Sequence, residues 1–434
     1  MKFVGPLIAL MLAATPLRAE IDITEVTSPD GINAWLVEEQ SIPFVALELR
    51  FKGGASLDLP GKRGATNLMV GLLEEGAGDL DARAFAEKAE SLAASFDFDV
   101  GDDAVSISAR FLTENKDEAL ALLRDAITQP RFDQAAIERV KAQIVSVIRS
   151  DAQDPDTIVG AEFDRMLFGD HPYGSAIEGS EDSVAALTQE DLVEAYKGAL
   201  ARDRVYVGAA GDISAEELAA LLDKLLSDLP ETGTPQPADI EVTTDAGVTV
   251  VPFDVPQSVA IFGHEGIARD DPDFFAAYVL NEILGGGGFE ARLMEEVREK
   301  RGLTYGVYSY LVPKDQAALY LGRVSSANNR IAEAIEVIRD EWTKMAENGV
   351  TQDELDSAKT YLTGAYPLRF DGNGPIANIL VGMQMDDLPI DYVNTRNAQV
   401  EAITLDDIKR VAARVLKPEA LRFVVVGQPE GLES

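Results

Sequence analysis

The chain has 434 residues, of which 46% are hydrophobic, and its 38 basic and 75 acidic residues give a formal net charge of −37. A field of that sign repels phosphate backbones, so we expect no nucleic-acid partner. The absence of cysteine excludes disulfides and a cysteine nucleophile, while the length suffices for two domains of ordinary size.

The first residues have the pattern of an export signal. Lys2 precedes an apolar run over residues 4–14, and Pro16 leads into a sequence ending at Ala19 that resembles a signal-peptidase site. The apolar run is shorter than the roughly 20 residues that a bilayer crossing needs. We therefore expect a signal peptide over residues 1–19, no stable membrane insertion after its removal, and a periplasmic or secreted mature protein. An uncleaved membrane anchor is the alternative.

A segment rich in proline and glycine, residues 229–239, lacks apolar periodicity and predicts a linker. It separates an N-terminal domain, residues 20–228, from a C-terminal domain, residues 240–434. The two domains repeat a similar order of strands and helices, which indicates a duplicated α+β domain.

Alternating apolar residues predict strands at 34–38, 43–51, 96–100, 104–111 and 205–208, then at 248–251, 258–263, 304–312, 317–324 and 421–426. Helical periodicity predicts helices at 64–73, 81–92, 116–127, 134–149, 156–167 and 215–226, then at 274–284, 290–301, 330–346, 352–366 and 376–385. The acidic residues at the predicted hairpin between the third and fourth strands are interpreted as turn polars: Asp97, Asp99, Asp102 and Asp103.

The two histidines do not form a zinc site by themselves. His171 and His264 are far apart in sequence, whereas catalytic zinc usually takes three protein ligands, commonly with a close pair on one helix. His171 lies in a tight loop over residues 169–174 and is interpreted as structural. His264 is interpreted as a polar residue at the end of a strand.

The segment over residues 281–310 carries the most information. Four glycines, Gly285, Gly286, Gly287 and Gly288, leave the backbone free to turn or to approach a ligand. Phe289, Leu293 and Val297 then lie four apart and predict a buried stripe on a helix. Arg298 lies in its last turn, Gly302 suits the helix end, and Tyr305 is expected on the following strand.

This segment closely resembles the second-half signature of the pitrilysin/insulinase family of zinc peptidases, a glycine-rich loop followed by a helix that runs into R-G-L-x-Y. The resemblance implies that Arg298 and Tyr305, seven positions apart, hold the substrate backbone and help to stabilise the reacting carbonyl. A guanidinium and a phenol are suitable donors for that task. The alternative is that Arg298 is a solvated surface residue and Tyr305 a core aromatic.

The first-half signature of the family, the zinc motif H-x-x-E-H, is degenerate here. The resemblance places its two histidine ligands at Asn67 and Gly71 and its general base at Val70. The third ligand, a glutamate in the family, would fall near Asp151, and one carboxylate does not hold zinc. We therefore expect no metal and no cofactor in this chain.

The resemblance implies two homologous α/β-sandwich halves, each an antiparallel-rich sheet packed with helices, that face each other across a cavity and form half of a clamshell. The implied function is that of a catalytically silent subunit of a heteromeric periplasmic zinc metalloendopeptidase, inactive alone. A homologous partner subunit bearing H-x-x-E-H would supply the zinc, and this chain would supply Arg298 and Tyr305 to a shared peptide substrate. Two alternatives stay open, a non-enzymatic peptide-binding or scaffold protein of the same fold and a self-sufficient hydrolase with an unrecognised site.

Overall fold

The structure is a computed structural model that describes residues 21–432, so the predicted signal peptide lies outside the described residues. The strands are β1 (Thr24–Thr27), β2 (Asn33–Glu38), β3 (Phe44–Lys52), β4 (Gly76–Ala77), β5 (Leu80–Asp81), β6 (Ser95–Val100), β7 (Ala104–Leu112), β8 (Val205–Gly211), β9 (Gly247–Pro252), β10 (Gln257–Glu265), β11 (Val307–Pro313), β12 (Ala318–Ala327) and β13 (Arg422–Gly427).

The α-helices are α1 (Ala65–Val70), α2 (Ala82–Ser91), α3 (Lys116–Thr128), α4 (Gln134–Asp151), α5 (Pro155–Phe168), α6 (Glu181–Ala186), α7 (Gln189–Ala199), α8 (Ala215–Leu226), α9 (Phe274–Asn281), α10 (Ile331–Asn348), α11 (Gln352–Ala365), α12 (Asn373–Met385), α13 (Tyr392–Ala402) and α14 (Leu405–Val415). Among the described residues, no helix combines the length and the apolar character that a bilayer crossing requires.

Each half of the chain holds one main sheet. The strand order is β1-β2-β8-β3-β7-β6 in the first and β11-β12-β10-β13-β9 in the second. Taken in reverse, the second sheet matches the last five strands of the first position by position. Strand directions also match, because β2 with β8 and β9 with β13 are parallel pairs and the other pairs are antiparallel. The prediction of two homologous α+β halves is therefore confirmed.

Helix α5 leaves the first half and covers the sheet of the second. Its Val159 and Phe163 are fully buried against Val259 on β10 and Val424 on β13. These side chains form an apolar cluster of their own, separate from the core on the other face of the sheet.

Helix α12 makes the reciprocal contact on the sheet of the first half. It packs across β2, β3 and β8, with Leu380 against Trp35 and Ala377 against Ala46. Gly208 on β8 permits this approach, because a Cβ there would collide with the carbonyl oxygen of Ala377.

The two halves of the chain are therefore in direct contact through α5 and α12, and the clamshell cavity stays a prediction. Each sheet has two apolar faces, and the removal of an apolar face from water stabilises the folded chain. The exchanged helices α5 and α12 provide that cover within one chain. Residues 229–239 form no regular helix or strand, while the proposed domain boundaries at this segment stay a prediction.

Polar contacts join the same halves at their turns. Lys314, between β11 and β12, forms an ion pair with Asp102 between β6 and β7, and its ammonium nitrogen lies 4.2 Å from the ring centroid of Tyr173. The Asp315 amide of the second half donates to Asp103 Oδ2 at 3.2 Å. Both acidic residues were predicted as hairpin polars, and in the structure they also bind one half to the other.

His264 is completely buried on β10 and is held as a neutral imidazole. Its Nδ1 lies 2.6 Å from the carbonyl oxygen of Glu265, and its Nε2 accepts a hydrogen bond from Trp342 Nε1 at 3.1 Å and another from the Lys417 amide at 3.3 Å. Burial lowers the pKa of His264 from 6.5 to about 4.

This lowered pKa predicts a pH dependence of stability. Between pH 4 and pH 6.5 the unfolded chain binds more protons at His264 than the folded chain, so the free energy of unfolding rises with pH through this window and levels off above it. When the pH falls from 7 to 5, the free energy of unfolding of the wild type should decrease by about 2 kcal/mol more than that of a His264→Gln variant. The amide oxygen of the glutamine can still accept a hydrogen bond. Urea unfolding of both proteins at each pH measures the difference, and equal losses would contradict the buried neutral imidazole.

Candidate functional site

The glycine-rich segment departs from regular helix at two places. Helix α9 ends at Asn281 and continues as a π-helical segment, Glu282–Gly286, in which the Gly287 amide bonds to the Glu282 carbonyl at 2.8 Å. A second π-helical segment spans Met294–Glu299. The prediction of one continuous helix over residues 290–301 was therefore wrong, since the wider hydrogen bonding interrupts it. Such π-helical segments are rare in proteins, and those that occur are frequently found at functional sites.

The glycines bring this segment against the edge of the second sheet. A Cβ on Gly285 would lie 2.6 Å from the amide nitrogen of Ser309 on β11, so only glycine fits there. Gly288 has a φ of 59°, in the left-handed region that favours glycine. Gly286 and Gly287 lie against the side chain of Glu282, whose pKa is raised by burial. The four residues are thus a packed turn beside β11, and their role in substrate binding stays a prediction.

Arg298 and Phe289 form a stacked pair at the surface. The guanidinium carbon lies 4.6 Å from the centroid of the Phe289 ring, and the Arg298 side chain is 30% exposed. The prediction that Phe289 belongs to the buried stripe was wrong, because it lies in a short 3-10 turn, Gly288–Glu290, and is 66% exposed. Leu293 and Val297 are buried as predicted.

Tyr305 precedes the strand rather than lying on it. It occupies a bend before β11 and is 86% exposed, which also rules out the alternative of a core aromatic. The bend is held by Thr304, whose hydroxyl donates to the carbonyl oxygen of Ser325 at 2.6 Å and accepts from the Gly306 amide at 3.0 Å.

The turn between Arg298 and Tyr305 is tight. The Gly302 amide bonds to the Arg298 carbonyl at 2.7 Å, and Gly302 has a φ of 60°, as expected of a glycine that ends a helix. Among the described residues no hydrogen bond links the Arg298 and Tyr305 side chains, so the structure presents two separate donors on one exposed turn. A peptide carbonyl could accept from either of them.

The positions that correspond to the zinc motif carry no metal ligands of the required kind. Asn67 lies on α1, and Gly71 lies one turn later, directly after the helix. The Gly71 amide donates to the Asn67 carbonyl oxygen at 3.1 Å, and Val70 is buried. Neither Val70 nor Gly71 offers a donor side chain. Within residues 21–432 no group of three or more histidine, cysteine, aspartate or glutamate side chains is placed to hold a metal ion. These residues do not fit zinc.

The second histidine has a structural environment as well. His171 Nδ1 accepts from the Tyr173 amide at 3.2 Å, and its Nε2 lies 3.3 Å from the carbonyl oxygen of Ala238 in the linker. Burial lowers the pKa of His171. The interpretation of His171 as a structural loop residue agrees with these contacts.

Family models cover both halves of the chain. Residues 35–181 match the family described as insulinase, peptidase family M16, and residues 186–362 match the peptidase M16 inactive domain.

Individual relatives span nearly the whole chain. A Helicobacter pylori protein described as the non-peptidase homolog YmxG is 27% identical over 90% of each sequence, and an uncharacterized zinc protease of Streptomyces coelicolor is 26% identical over 91% of this chain and 87% of its own. A solved structure described as a peptidase M16 inactive domain, from Pseudomonas fluorescens, superposes with a TM-score of 0.89 at 29% identity, covering 95% of this chain and 99% of that one.

Proposed function

The chain belongs to peptidase family M16, the insulinase family, and we propose that it acts as a catalytically silent, substrate-binding subunit of a heteromeric zinc metalloendopeptidase. A homologous partner carrying H-x-x-E-H would hold the zinc and activate water. This chain would contribute Arg298 and Tyr305 to the same peptide. From the pattern of residues 1–19 we propose that the two subunits act in the periplasm or outside the cell.

One observation carries the proposal: the chain has lost the metal ligands and keeps the exposed donors. Asn67, Val70 and Gly71 cannot hold zinc, whereas Arg298 and Tyr305 stand free of core packing on a turn beside β11. If the fold served only as a scaffold, nothing would require a guanidinium stacked on an exposed Phe289 at this turn.

The position of β11 supports a peptide as the shared substrate. It is the outer strand of the second sheet, and the outer strand of a sheet is where an extended peptide can be added. Tyr308 and Tyr310 project from the strand and are 48% and 38% exposed. A peptide added there would run alongside Tyr305, which precedes the strand.

A second candidate is a non-enzymatic peptide-binding or scaffold protein of the same fold. The description of the Helicobacter pylori relative as a non-peptidase homolog favours it. The same edge strand and turn would then bind peptide without a zinc-bearing partner.

Complementation tests the first candidate. The mature chain and an H-x-x-E-H homologue from the same genome are purified separately and assayed with zinc on a fluorogenic peptide library, alone and mixed. We expect cleavage by the mixture to exceed the sum of the separate rates by at least 10-fold. The same assay after addition of a zinc chelator should return to background.

The separate proteins act as the controls. A mixture no faster than the homologue alone would contradict the subunit proposal and leave the peptide-binding candidate, which equilibrium binding of library peptides to the isolated chain would then test. Zinc-dependent cleavage by this chain alone would contradict both candidates.

A further inference from the structure

A separate cavity lies in the second half, between α9, α12, α13 and β11. Its volume is about 400 Å³, within the range of roughly 300–1,000 Å³ that is typical of small-ligand sites. Aromatic side chains dominate its wall: Phe274, Phe275, Tyr278, Tyr310, Tyr366 and Tyr392. We call it the Arg396 pocket after the arginine at its wall.

The charge of the Arg396 pocket is opposite to that of the chain. Arg269, Arg369 and Arg396 line it, with Asp386 as the lining carboxylate, although the whole sequence has 75 acidic and 38 basic residues. Arg269 already pairs with Asp386 at 3.0 Å. The remaining two guanidinium groups therefore make the cavity cationic.

Arg396 is buried without a carboxylate in salt-bridge contact, although its charge acts on the Glu282 carboxylate nearby. It is 4% exposed, its Nη1 donates to the carbonyl oxygen of Leu362 at 2.8 Å and to Asn397 at 3.0 Å, and no salt bridge is formed by it within residues 21–432. Its guanidinium carbon lies 4.5 Å from the ring centroid of Tyr366 and 5.6 Å from that of Tyr278.

A buried guanidinium without an anion is costly, because desolvation is repaid in full only by a well-placed counter-charge. The two rings and the two hydrogen bonds offset part of that cost. In the described part of the chain, the hydrogen bonds of Arg396 all use Nη1, so Nε and Nη2 are left to face the cavity. A planar guanidinium with two donors side by side is the arrangement that binds a carboxylate bidentately.

We propose that the Arg396 pocket binds a carboxylate carried on an apolar or aromatic residue. The guanidinium groups of Arg396 and Arg369 bind the carboxylate, and the tyrosine and phenylalanine rings enclose the apolar body. The carboxylate comes either from the C-terminus of a peptide or from a small N-acylated amino acid. The pocket contains neither Arg298 nor Tyr305, and its function does not depend on the subunit proposal.

Calorimetric titration of the isolated mature chain tests this inference. The probes are N-acetylphenylalanine and its amide, and an octapeptide ending in phenylalanine with a free or an amidated C-terminus. We expect at least one of the two acids to bind at least 10-fold more tightly than its matched amide. Tighter binding of the peptide acid assigns the pocket to peptide C-termini, and tighter binding of N-acetylphenylalanine assigns it to small acids.

Two arginine variants locate the binding. Arg369 is exposed, so Arg369→Gln should fold normally and weaken the acid at least fivefold, while Arg396→Gln should abolish the preference for acid over amide. Arg83→Gln, at an exposed ion pair with Glu87 on α2, should leave binding unchanged. Equal binding of acid and amide, no binding of either acid at millimolar concentration, or unaltered binding by Arg369→Gln would overturn the proposal.

Discussion

Replacement of Phe163 by alanine should destabilise the whole chain, although the residue belongs to a single helix. Phe163 is 1% exposed and is packed against strands of the other half. Removing a buried phenylalanine side chain costs roughly 3–5 kcal/mol, a large share of the roughly 5–15 kcal/mol that typically separates folded from unfolded protein. Because α5 is the cover of the second sheet, we expect both halves to unfold at the same, lower urea concentration.

The two tryptophans lie in different halves of the chain and allow the unfolding of the two halves to be compared. Trp35 lies on β2 of the first half, and Trp342 lies in the core of the second. Fluorescence of Phe163→Ala in a Trp342→Phe background reports on the first half together with the contact between Trp35 and α12, and in a Trp35→Phe background it reports on the second half. Leu368→Ala, at a side chain 77% exposed, is the control and should change stability by less than about 0.5 kcal/mol. Two separate transitions would show that the exchanged helices do not couple the halves.

Replacement of Arg298 by alanine should lower peptide cleavage by the mixture of this chain and its zinc-bearing homologue about 100-fold. Loss of one donor to a developing oxyanion costs about 10²–10³ in rate, and the exposure of this guanidinium places it at the lower end. Initial rates with a saturating amount of the variant chain measure the loss. Size-exclusion chromatography checks that the two chains still associate.

The matched variants separate chemistry from packing. Tyr305→Phe keeps the ring and removes the hydroxyl, so it should cost at most about 10-fold, the value of one neutral hydrogen bond. Phe289→Leu keeps an apolar side chain under the guanidinium and should have a smaller effect than Arg298→Ala. Arg83→Ala should leave the rate unaltered. A wild-type rate from the associated Arg298→Ala mixture would remove this residue from the proposed site.

Most regular elements could be predicted from periodicity alone, because their apolar residues recur at the spacing of a strand or a helix. Helices α6, α7 and α14 were missed, yet each has a local signal, since all three begin with a capping box: Ser180 with Ser183, Thr188 with Asp191, and Thr404 with Asp407. Helix α13 buries only part of one face and has no side-chain cap, so its sequence gave little indication of it.

The site was predictable in position but not in conformation. The residues at 285–305 could be singled out, but a widened π turn depends on hydrogen bonds five residues apart, and no residue pattern specifies them. Tyr305 was placed on a strand because apolar residues follow it, whereas Thr304 bonds to β12 and diverts the chain first. The Arg396 pocket joins residues from α9, β11 and α13, and only the tertiary structure brings them together.

The reciprocal placement of α5 and α12 has a consequence for the origin of the chain. A single half, made as an independent protein, would leave one face of its sheet bare and its projecting helix without a partner. Two identical copies could satisfy both needs by inserting their helices into each other, as in a domain-swapped homodimer with twofold symmetry. The present chain has the topology of such a dimer after gene duplication and fusion, with residues 229–239 as the joining segment. Fusion frees the two copies to diverge, so that one half could lose its metal ligands while the other kept its exposed arginine and tyrosine.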